Sequence, residues 1–156
     1  SVEFPAPPAD NLYRFDPPAG TRVSPRRVRP DYMDLDDARA ALGEEAALPR
    51  RLPPGYAFES INVIASGRRA ILHARYTDGI DVLSLFQMPA SLRLSGRRAL
   101  GPRDGKPQRV RVGRAQGRAW LQGDTRLLEW RHGSRRYVAA GRAELSALLR
   151  MAESVQ

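Results

Sequence analysis

The chain has no cysteine among its 156 residues, which excludes disulfides, thiolate metal sites and a cysteine nucleophile. Lysine is almost missing: Lys106 stands alone, and the formal charge of +9 rests on arginine. Histidine is scarce too, with His73 and His132 only, which leaves little for acid–base chemistry. No apolar run approaches the roughly 20 residues that a helix needs to cross a bilayer. Ser1 opens no basic-then-apolar leader, the pattern of a mature form or of a piece of a longer chain.

What is present is a hydrophobic fraction of 42%, enough to build one real core with an attached tail. Net charge of this size favours acidic partners, anionic lipid or nucleic acid. Yet the arginines look scattered. The pairs Arg26–Arg27, Arg50–Arg51, Arg68–Arg69, Arg97–Arg98 and Arg135–Arg136 fall in predicted turns or linkers, where a solvated surface accounts for them.

Three stretches differ in texture. Residues 1–30 carry Pro5, Pro7, Pro8, Pro17, Pro18, Pro25 and Pro30, which fits an extended arm, because proline donates to no ladder and pushes its predecessor out of the α region. Residues 12–15 could add an edge strand within it. Residues 31–55 read as a short helix over 34–42 followed by a proline-rich hinge. Asp34 suits the N-cap, Asp36 and Asp37 the first turn, and Gly43 the stop. Residues 56–156 alternate with period two, broken at Ser66-Gly67, at the tight-turn pair Asp78-Gly79 and at Gly133-Ser134. The apolar run around Val82, Leu83, Leu85 and Phe86 predicts a central strand. Residues 89–107 read as a long arginine- and glycine-rich loop. Over 144–155, Leu145, Leu148, Leu149, Ala152 and Val155 form one helical stripe. The expected fold is α+β: an antiparallel sheet of about six strands, in two meanders split by the loop, packed by a C-terminal helix.

The order Leu52-Pro53-Pro54-Gly55-Tyr56, Tyr76-Thr77-Asp78-Gly79, Leu83-Ser84-Leu85-Phe86-Gln87, Leu128-Glu129-Trp130 and the closing helix resembles the C-terminal domain of MucB/RseB sigma-factor regulatory proteins. It also resembles the related domain of anti-sigma-associated and lipoprotein-sorting-like proteins. Residues 15–23 are similar to the exit of the carrier-like domain that precedes this module. The resemblance implies the partner-binding half of a two-domain sensor, in the periplasm or otherwise outside the cytoplasm. It further implies a protein partner: the extracytoplasmic segment of a membrane anti-sigma factor, shielded from proteolysis in stress signalling.

No catalytic constellation stands out, so a binding protein and not an enzyme is expected, with no cofactor and no metal. Each histidine alternates with apolar neighbours in a strand, which predicts that it faces solvent. The aspartates at 31, 34, 36 and 37 suit helix capping better than a calcium loop. The serines lack a nucleophile elbow, and 101–105 lacks Walker spacing. A protein partner would meet the loop arginines Arg93, Arg97, Arg98, Arg103 and Arg111, with Tyr76 and Trp130 as candidate exposed aromatics, although ordinary core packing suits Trp130 better. A nucleic-acid-binding module and a lipid- or lipoprotein-carrier accessory domain are the alternatives.

Overall fold

Period-two alternation places every second side chain on one face of a sheet. In the computed structural model that rule organises most of the described chain, which comprises residues 18–21, 35–42, 46–66, 69–92 and 104–155. The arm but for 18–21, Asp34, Gly43 and the stretch 93–103 lie outside the described residues.

The elements are α1 (Leu35–Leu42), β1 (Ala57–Ser66), β2 (Arg69–Thr77), β3 (Val82–Pro89), β4 (Asp104–Val112), β5 (Ala115–Gln122), β6 (Thr125–His132), β7 (Arg135–Gly141) and α2 (Leu145–Glu153). The strands form one open sheet in the order β1-β2-β3-β7-β6-β5-β4, antiparallel at every ladder. The expected α+β fold with two meanders is therefore present. The sheet has seven strands, and β4 begins at Asp104, inside the stretch expected as loop. Gly105, Lys106 and Pro107 are poor strand formers. Pairing with β5 carries the strand through them, with a register irregularity between Asp104 and Gln108. The expected loop over 89–107 thus ends before Asp104.

Two-residue turns tie the second meander together. Gly113-Arg114, Gly123-Asp124 and Gly133-Ser134 join strands whose flanking residues pair directly. Their glycines have φ of +57°, +57° and +58°, and no other residue type among those described has positive φ. Glycine first and an ordinary residue second is the type II′ pattern, whose twist matches that of the strands. The Asp78-Gly79 turn is wider than expected, because Thr77 pairs with Val82 across four residues. The Asp78 carboxylate accepts the N–H groups of Asp81 at 2.8 Å and Ile80 at 2.9 Å. These bonds favour the charged form and hold its pKa below the usual carboxylate value.

One face of the sheet carries the main core: Ile61, Leu72, Ala74, Leu83, Leu85, Ala119, Leu128 and Ala139. Both helices close this face, α1 against β1 and β2, α2 against β4 and β6. Helix α2 buries Ala147, Leu148, Met151 and Ala152. The expected stripe is present, but the helix stops at Glu153 and Val155 instead bridges to Pro49. Arg51 N–H donates to Ser154 Oγ at 2.9 Å and Arg50 N–H to the Ser154 carbonyl at 3.3 Å. The proline-rich passage is thereby clipped to the end of α2. On the opposite face Met88, Leu92 and Val138 form a smaller cluster with Ile71 and Phe86.

Candidate partner-binding surface

The helix-free face changes character towards β4. Register places Arg109, Arg118 and Glu129 in one row across β4, β5 and β6, and Arg111 beside Gln116 in the next. Arg131 shares this face, two residues on from Glu129. With Arg114 at the β4–β5 turn, these side chains line an open groove of about 1010 Å³. Val110, Ala115, Gly117 and Trp130 complete its lining.

All five arginines are exposed, and no ion pair joins any of them to a carboxylate among the described residues. The lone acid of the groove, Glu129, lies 3.9 Å from Arg136, a sixth guanidinium at its flank. Arg136 also donates to the Leu92 carbonyl at 2.9 Å. Elsewhere several cations are matched: Arg75 with Glu59 at 3.1 Å, and Arg142 with both Asp81 and Asp124. Five like charges around a single carboxylate repel one another, and the groove carries net positive charge.

Beside it, β4 is an edge: among the described residues it pairs with β5 alone. Lys106 and Pro107 occupy its first half, as on edge strands that resist pairing. Its second half, Arg109 to Val112, has neither lysine nor proline.

The residues expected from sequence are distributed unevenly. Arg111 lines the groove. Arg93, Arg97, Arg98 and Arg103 lie outside the described residues. Tyr76 and Trp130 are not exposed aromatics: they are 2% and 3% exposed in the main core, because their positions alternate onto the helix-covered face. Trp130 stacks on Tyr137 at 5.1 Å and also borders the groove. Tyr76 Oη has no hydrogen-bond partner, and burial raises its pKa. The sequence reading missed Arg109, Arg114, Arg118 and Arg131. It treated the arginines as scattered, whereas the register gathers these with Arg111.

His73 is half-buried and not solvent-facing, stacked on Phe86 at 4.3 Å with Nε2 3.0 Å from Ser84 Oγ. His132 is exposed. Among the described residues no group of three His, Asp or Glu could hold a metal ion, and no helix is long and apolar enough to cross a membrane.

No protein-family model matches the chain, and a comparison with curated proteins finds no match. Among solved structures, it is similar to MucB in complex with the periplasmic part of MucA, at TM-score 0.49 and 19% identity over 71% of this chain and 36% of that one. A Pseudomonas aeruginosa MucA/MucB complex gives the same score and identity over 71% and 34%. A GTP-binding regulator from Thermotoga maritima follows at TM-score 0.44 and 12% identity, over 79% and 87%. The chain spans about a third of the length of the MucB chains. At these values the likeness carries no functional argument.

Proposed function

We propose that this chain is a binding domain, not an enzyme, that holds an acidic segment of another polypeptide in the β4–β6 groove. The observation that carries this reading is the set of five exposed arginines without carboxylate partners, gathered by register around a groove whose rim is an open strand edge. An antiparallel edge offers backbone groups to a visiting chain, and the guanidinium groups offer charge-assisted bonds to its carboxylates. The candidate polypeptide is the extracytoplasmic segment of a membrane anti-sigma factor, the partner that the motif resemblance implies. On that reading the domain works outside the cytoplasm in stress signalling.

The test is affinity capture from a solubilised envelope fraction, with the wild-type chain and an Arg109→Glu/Arg111→Glu/Arg118→Glu variant. The expected result is retention of a membrane protein with an acidic extracytoplasmic segment, released by salt and lost with the variant while its unfolding midpoint is preserved. Retention of nucleic acid alone, or equal retention by both chains, overturns the reading.

A further inference from the structure

The hairpin geometry fixes which backbone groups β4 leaves open. Val112 and Ala115 flank a two-residue turn, so they exchange both hydrogen bonds, and pairing alternates from there. Val112, Val110 and Gln108 therefore spend their N–H and C=O groups on β5. Those of Arg109 and Arg111 point away from it, to the free edge. The side chains of these two residues stand on the groove face.

Backbone and charge thus select one kind of guest. A strand adding antiparallel, as every ladder in the sheet does, would pair with Arg109 and Arg111 through residues whose own side chains lie on the groove face. Those side chains come about 5 Å from the two arginines. Residues between them would project to the helix face, beside the half-buried Val110 and buried Val112.

We infer that β4 takes up an eighth strand: an extended segment with acidic residues at alternate positions and apolar residues between, hydrogen-bonded to Arg109 and Arg111. This rests on the proposed function and specifies its mode. The first half of β4, blunted by Lys106 and Pro107, limits the added strand to the end near the β4–β5 turn.

The experiment is isothermal titration of the full chain with synthetic eight-residue peptides of four glutamates and four valines. In one the two alternate; in a second they form two blocks. A third and a fourth are alternating peptides N-methylated at the glutamates or at the valines. The added strand predicts that glutamate N-methylation weakens binding at least about tenfold, the loss of one or two hydrogen bonds. Valine N-methylation, directed away from β4, leaves it within about twofold, and the block peptide is weakened as much as the glutamate-methylated one. Equal, salt-sensitive binding of all four overturns the eighth strand but leaves the acidic-segment reading standing. Valine N-methylation as the damaging change also overturns the antiparallel register. Failure of every peptide, with tight binding of a thymidine decanucleotide, overturns both.

Discussion

Gly141 closes β7 against Leu83. A Cβ there would lie 2.8 Å from Leu83 Cδ1, 3.1 Å from Leu83 Cα and 3.2 Å from the Val82 carbonyl. The side-chain tip can move, but the two backbone atoms sit in a paired central strand. Gly141→Ala is expected to cost about 1–3 kcal/mol, read from urea unfolding; a loss under about 0.5 kcal/mol would mean that β3 and β7 part easily. At Tyr76 the balance runs the other way. Its hydroxyl is buried without a partner, and an unsatisfied polar group weighs against the folded state. Tyr76→Phe is expected to leave stability unchanged or raise it by about 1 kcal/mol, while Tyr76→Ala lowers it by about 3–5 kcal/mol. In a spectrophotometric titration the raised pKa should keep Tyr76 protonated until the chain unfolds. Asp78 contributes through its charged form. Its folded pKa is depressed, so its contribution is present above the unfolded value of about 3.9 and is lost as pH falls through the folded pKa. The advantage of the wild type over Asp78→Asn in thermal unfolding should therefore shrink as pH falls below about 4. An advantage constant with pH would contradict the carboxylate's role.

At the level of elements, the second meander separates what local periodicity carries from what only turn length reveals. Gly113, Gly123 and Gly133 recur every ten residues, each followed by a residue suited to the second position of a II′ turn. Once the turns are two residues long, register follows: 112 opposite 115, then 111 opposite 116 and 109 opposite 118. The arginine groove was thus legible in principle. Within one strand, alternation says only which residues share a face; it takes the turn length to align neighbours. Tyr76 and Trp130 failed for the same reason, since an alternating aromatic fits either face until the helices choose one. The central position of β3, the C-terminal helix and the two-meander order needed no such step, because each follows from local periodicity. The start of β4 did not follow, because Lys106 and Pro107 argue locally against a strand. The register also sets a contrast between neighbours. Val110→Pro removes a ladder donor, leaves its acceptor unpaired and should cost about 1–3 kcal/mol. Arg111→Pro removes an outward one and should cost under about 1 kcal/mol. Equal losses in chemical denaturation would contradict the assigned hydrogen-bonding pattern.

Across the whole molecule, charge is unevenly matched. The ion pairs described lie mostly around β1, the β2–β3 turn and the helix ends, whereas the β4–β6 end holds five unmatched guanidinium groups. Such an arrangement is expected to add nothing to folding, in keeping with the proposed binding role. Replacing Arg109, Arg111 and Arg118 together by glutamine should leave stability unchanged or up to about 1 kcal/mol higher. A loss greater than that in urea unfolding would make these arginines structural. Because the groups are exposed, binding should weaken steeply between low and physiological salt, where the screening length falls to about 8 Å.

The most direct measurement is an amide ¹H–¹⁵N titration of the full chain with the alternating glutamate–valine peptide, mapped residue by residue. Shifts confined to residues 108–118 and 129–131, and absent in the Arg109→Glu/Arg111→Glu/Arg118→Glu variant, are the expected result. Shifts centred on β1–β3, or none at all, would contradict the assignment of this groove and edge as the place where the domain grips its partner.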